Sequence, residues 1–82
     1  MLSDETTLEV YDLRGLNCPM PVLKTRKRLS EMALGATLIV ETSDPLAVID
    51  IPHFCKEYGH LMLSCVAENG GHRFTIVKDA KP

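Results

Sequence analysis

Hydrophobic and polar residues alternate with a period of two in some stretches of the chain and of three to four in others, and the switches mark its elements. Leu8, Val10 and Tyr11 through Leu13 form a strand-like run, reached through an acidic, Thr-rich stretch over residues 1–7 that is expected to be a disordered tail. The run stops at Arg14-Gly15. After Cys18-Pro19-Met20-Pro21, the positions Val22, Thr25, Leu29 and Met32 recur at helical offsets, and Gly35 is a natural stop for that helix. Ala36 to Thr42 (ATLIVET) is β-branched and largely apolar, which suits a strand inside a sheet better than one at its edge.

Ser43-Asp44-Pro45 reads as a second helix start, with Asp44 as cap and Pro45 at the first helical position. Val48, Ile49, Phe54 and Cys55 continue it on an apolar pattern that ends at Gly59. Pro52 lacks the N–H that would bond the Val48 carbonyl, so a bend or a restart is expected there. Leu61 to Ala67 and Arg73 to Val77 are two further strands, joined by the hairpin signal Glu68-Asn69-Gly70-Gly71. The order β-α-β-α-β-β predicts a two-layer α/β sandwich: a four-stranded mixed sheet with both helices on one face and the other face open to water or contact.

Eighty-two residues fit one domain spanning residues 1–82 and leave no room for a deep, lobed enzyme cleft. With 45% hydrophobic and 24% charged residues, the chain is neither disordered nor membrane-embedded in composition. Nine basic against eleven acidic residues give a formal charge of −2, so no global field steers it toward nucleic acid. The opening MLSDETTLEV lacks the basic and apolar regions of a secretory leader, and no apolar run approaches the ~18 residues of a membrane span. A cytoplasmic, reducing location with no membrane partner is therefore expected. Cys18, Cys55 and Cys65 are an odd number without C-x-x-C spacing, which indicates neither a disulfide framework nor a zinc site. No Gly-rich phosphate loop is present either, and no cofactor is expected.

The chemistry concentrates at the first helix. Its counterpart begins Asp44-Pro45, whereas it begins Cys18-Pro19. Asp is a good cap and Cys is not, a sacrifice of about 0.5–2 kcal/mol that points to selection for something other than stability. A thiolate at that place would meet exposed N–H groups, chiefly those of Met20 and Val22, and the positive end of the helix dipole. Pro19 and Pro21 would stiffen the first turn and present Cys18 on a rigid tip. In the bland alternative Asn17 caps the helix and Cys18 merely follows it.

The run Arg14-Gly15-Leu16-Asn17-Cys18-Pro19-Met20-Pro21-Val22-Leu23 resembles the signature of the TusA/SirA/YedF family of sulfur carriers, whose Cys-Pro-x-Pro element is specific. The likeness extends through Asp44-Pro45, Asp50-Ile51-Pro52, Phe54-Cys55 and Gly59-His60, and looks most like the TusA branch. Met20 and Asn17 depart from the Glu and Arg of some TusA members. The resemblance implies a sulfurtransferase that acts as a protein-to-protein shuttle. In it Cys18 receives sulfane sulfur as a persulfide from a donor such as a cysteine desulfurase or rhodanese, and Pro19, Met20 and Pro21 present the thiol. An acceptor protein with a reactive cysteine then takes the sulfur, in tRNA thiolation or sulfur metabolism.

Lys24, Lys27 and Arg28 share a helical face just beyond Cys18 and read either as a docking surface for an acidic partner or as an ordinary solvated face; Arg26 points elsewhere. Cys55 and Cys65 read as small buried hydrophobes. His53, His60 and His72 fit ordinary surface positions near turns or on exposed helix faces; Asp44 and Asp50 could belong to a partner surface, though capping explains Asp44 and solvent exposure explains Asp50. A small RNA-binding module or a regulatory interaction module without thiol chemistry is the rival reading, opposed by the net charge and by 5% aromatic content, which offers no stacking platform for bases.

Overall fold

The computed structural model describes residues 8–79, and the tail expected over residues 1–7 lies outside them. The described chain runs through β1 (Leu8–Asp12), α1 (Met20–Ser30), β2 (Thr37–Thr42), α2 (Ala47–Tyr58), β3 (Leu61–Glu68) and β4 (Gly71–Val77). The strands form one sheet in the order β1-β2-β4-β3. β1 pairs with β2 in parallel, while β4 pairs antiparallel with both β2 and β3. This is the mixed sheet and element order that the hydrophobic pattern predicts.

β2 lies between β1 and β4, as its apolar content requires, and alternates half-buried with buried positions. Its buried face carries Leu38, Val40 and Thr42, which stand opposite Ile76, Phe74 and His72 of β4. Thr25 and Leu29 of α1 and Ala47, Ile51, Phe54 and Cys55 of α2 cover that same face. Leu38, Val40, Phe74 and Ile76 are wholly buried, and each contributes about 1.5–3 kcal/mol relative to an exposed position. Among the described residues no helix covers the opposite face: Leu8, Val10, Leu61 and Val66 lie exposed on its outer strands.

Three details of the helices differ from the expectation. α1 stops at Ser30 with Glu31 as its C-cap, not at Gly35, which sits in the following turn; Met32 still reaches the core from that connection. α2 begins at Ala47, because Pro45 and Leu46 form a turn in which the Ala47 N–H bonds the Asp44 carbonyl, and no side chain caps the helix. Pro52 causes no restart. The one carbonyl it leaves without an intrahelical donor belongs to Val48, on the exposed side of the helix. Asn69 and Gly70, both at positive φ, close the β3–β4 hairpin. Gly71 follows because a Cβ there would collide with the Thr42 carbonyl oxygen.

Candidate thiol site

The parallel pairing of β1 and β2 decides what meets at the site. Two parallel strands end at the same edge of the sheet, so the loops that lead into α1 and α2 emerge side by side. The Leu13 N–H extends the pairing to the Glu41 carbonyl (2.8 Å), and the Gly15 N–H reaches Ser43 Oγ (2.8 Å). Held to the β2 exit in this way, the first loop delivers Cys18 against residues some thirty positions later in sequence.

Cys18 lies exposed in the turn before α1, joined to Pro19 by a cis peptide bond. The helix proper starts at Met20, with Pro19 in the N-cap place and Pro21 buried in the first turn. Cys18 is therefore one residue short of the cap position expected for it. The Met20 N–H, expected to be open to an anion, is taken by the Asn17 carbonyl at 2.8 Å. Asn17 thus contributes through its backbone, and no side chain caps the helix.

The residues that touch Cys18 come from the second loop and helix. Its backbone N–H donates to Asp44 Oδ2 (2.9 Å), and its Sγ donates to Asp50 Oδ2 (3.1 Å). These contacts reverse the expected electrostatics. The hydrogen bond to Asp50 raises the Cys18 thiol above its ordinary range, and partial burial and the charges of Asp50 and Asp44 push the same way. A full carboxylate charge at hydrogen-bond distance outweighs the half-charge of a helix end that starts two residues later. The contacts favour the neutral thiol of Cys18 over its thiolate. Asp44, expected as a helix cap, and Asp50, expected in solvent or on a partner surface, are both parts of this site.

Beside Cys18 the two helices leave an open groove of about 410 Å³. Val22 and Leu23 of α1 face Phe54 and Tyr58 of α2 across it, and the Arg26 guanidinium lies 5.1 Å from the Tyr58 ring centre. His53 stands on its wall. Among the cations of α1, Arg26 thus shares the groove with the thiol. Arg28 is committed elsewhere, to Glu9 of β1 (Nε to Oε2, 2.6 Å) and to Glu31 (3.0 Å), while Lys27 lies 3.6 Å from Glu31. Lys24 makes no salt bridge among the described residues.

The other thiols differ from Cys18 and from each other. Cys55 is buried in the core, and burial pushes its thiol up to about 11. Cys65 is exposed, against the expectation of a buried residue, because it lies on the edge strand β3 beyond the cover of the helices. His60 and His72 are half-buried. Among the described residues no three His, Cys, Asp or Glu side chains gather as a metal site.

A two-layer α/β domain with an exposed cysteine at the mouth of an interhelical groove defines the class: a small α/β protein with a solvent-reachable thiol at the start of its first helix. The chain belongs to the TusA family, whose model, described as Sulfurtransferase TusA, matches residues 9–78. It is similar to the Sulfur carrier protein TusA of Pseudomonas entomophila (strain L48), 42% identical over 84% of this chain and 86% of that one. The protein of the same name from Buchnera aphidicola subsp. Baizongia pistaciae (strain Bp) is 36% identical over 88% of this chain and 91% of its own. In architecture it matches the crystal structure of a SirA-like protein from Desulfitobacterium hafniense, with a TM-score of 0.75 and 24% identity over 84% of this chain and 95% of that one. The last likeness concerns the fold.

Proposed function

We propose that the protein is a sulfur carrier that accepts sulfane sulfur on Cys18 as a persulfide and passes it to the cysteine of an acceptor protein. The observation that carries this reading is the exposed Cys18 Sγ at the mouth of the groove, on the Cys-Pro-x-Pro turn of a TusA-family chain. Transfer between proteins needs a reachable thiol on a fixed backbone, because the second protein supplies the rest of the reacting site. Pro19 and Pro21 restrict the turn, and Met20, 40% exposed, projects beside it. Donors of the required chemistry are persulfide-forming enzymes such as cysteine desulfurases and rhodaneses. The acceptor leads to thiolated tRNA or to another branch of sulfur metabolism, with no direct nucleic-acid contact by this chain. The work suits the cytoplasm, where thiols stay reduced.

Docking by the basic face of α1 rests on Lys24 first, because Glu9 and Glu31 already hold Arg28 and Lys27 lies 3.6 Å from Glu31. That pairing also weakens the RNA-binding alternative, since a paired guanidinium contributes little to phosphate attraction.

The test is incubation with a cysteine desulfurase and cysteine, followed by peptide mass analysis. Cys18 gains about 32 Da as a persulfide, and Cys18→Ala gains nothing there while its circular dichroism is unchanged. Wild-type protein that takes no sulfur on Cys18 would refute the assignment.

A further inference from the structure

Among the described residues Cys18 is the only one of the three thiols that donates a hydrogen bond to a carboxylate. Asp50 lies one turn into α2 and is half-buried, and its Oδ2 meets Sγ at 3.1 Å. Asp44 adds a second carboxylate on the backbone side of the same residue, 2.9 Å from its N–H. The other charged or titratable groups on the groove wall are Arg26, His53, Glu57 and Tyr58; His53 lies 3.5 Å from Glu57, and Arg26 is stacked on Tyr58. Neither Arg26 nor His53 makes a hydrogen bond or salt bridge to Asp50 or Asp44 among the described residues. A thiol in such a place is favoured as a neutral donor and disfavoured as an anion.

We propose that Asp50, assisted by Asp44, is the residue that sets how tightly the carrier holds its sulfur, by favouring the empty Cys18 thiol over the loaded Cys18 persulfide. The inference rests on the carrier reading above and deepens it. A persulfide loses its proton more readily than the thiol it came from, so at neutral pH the exchange runs as Cys18–SH + R–S–S⁻ → Cys18–S–S⁻ + R–SH. The S–S bond of the donor breaks, and a bond forms between Cys18 Sγ and the outer sulfur. The thiol proton ends on the donor sulfur, and no external oxidant or reductant is consumed. Loading therefore places a new negative charge beside Asp50 and Asp44 and removes a hydrogen bond that Asp50 accepted. Both changes oppose loading and favour handing the sulfur on. The same contact keeps the empty thiol slow toward stray electrophiles, because the thiolate is the nucleophile.

Two readouts on the intact protein test this. The first is the rate at which iodoacetamide, a neutral reagent, alkylates Cys18 as a function of pH, followed on the Cys18 peptide. The second is the equilibrium of sulfur exchange with glutathione persulfide. Asp50→Asn keeps the shape and an acceptor oxygen but removes the charge. It is expected to alkylate about tenfold faster at pH 7, to reach its half-maximal rate at lower pH, and to move the exchange about tenfold toward the loaded carrier. Asp44→Asn is expected to move both readouts the same way by less.

Superimposable alkylation profiles, or an exchange that moves toward the donor, would overturn the role of Asp50. If Asp50→Asn fails to fold, Asp44→Asn and the wild type decide. In the wild type, Cys18 must reach its half-maximal alkylation rate at higher pH in the folded than in the urea-unfolded protein, and an equal or lower pH overturns the inference. Wild type that accepts no sulfur on Cys18 refutes the carrier reading itself, while the alkylation profiles still decide whether Asp50 restrains the thiol.

Discussion

Cys18 and Cys55 are both held as thiols, by different means. Cys55 lies in the middle of α2, packed in the core with Phe54 and Ile51, and burial alone raises its thiol to about 11. Cys18 is exposed in the turn before α1, and a single carboxylate contact is the first cause of its shift. Burial withholds a sulfur from every reagent until the domain opens. A carboxylate restrains a sulfur that remains reachable, and the restraint changes whenever that one contact changes. Only the second arrangement suits a group that must be exchanged between proteins.

The sharpest way to break this comparison is to remove each sulfur in turn. Cys18→Ser is expected to lower sulfur loading by at least about a hundredfold, because a hydroxyl cannot form a persulfide, and to leave stability within about 0.5 kcal/mol in denaturant titrations. Cys55→Ser should do the reverse. A hydroxyl at that buried position costs about 1–3 kcal/mol, visible as a fall in melting temperature, while Cys18 still loads. Loading lost in Cys55→Ser at temperatures where the variant remains folded would erase the distinction.

A smaller effect follows from a surface pair that shows the same control without burial. Asp12 accepts from the backbone and side chain of Arg14, and the side-chain bond first, then the backbone bond, lowers its carboxyl to about 2. The folded state therefore binds that proton less readily than the unfolded chain. The stability it contributes is complete above the ordinary value of 3.8 and is lost as pH falls toward 2. Asp12→Asn is expected to lose that small contribution at neutral pH and to flatten the acid limb of an unfolding curve by the same amount in that window. A larger acid sensitivity in the variant would contradict the assignment.

The strands, the two helices and their order were legible because each element follows one hydrophobic period, and β2 was legible as an internal strand from its β-branched run. Cys18 was legible from its motif. Its electrostatic setting was not, since Asp44 and Asp50 lie 26 and 32 positions away and reach it only through the side-by-side exit of β1 and β2. The local sequence around Asp44 matches a helix cap, but its carboxylate accepts the Cys18 N–H instead, a contact that local reading has no means to foresee. Parallel pairing of the first two strands was the available clue, because it brings both helix starts to one edge. Arg28 was misleading for a similar reason: its partner Glu9 sits on β1, and only the packing of α1 on the sheet joins them. Cys65 alternates like a buried residue, yet the outer place of β3 leaves it uncovered.

Three thiols in three settings allow one direct measurement. Wild-type protein treated with a cysteine desulfurase and cysteine, then digested without reduction, reports added sulfur separately for the peptides of Cys18, Cys55 and Cys65. The carrier reading predicts a gain on Cys18 alone: buried Cys55 stays bare, and exposed Cys65, which shares no groove with Cys18, stays bare too. Sulfur on Cys65 to the same extent, or none on Cys18, would contradict it.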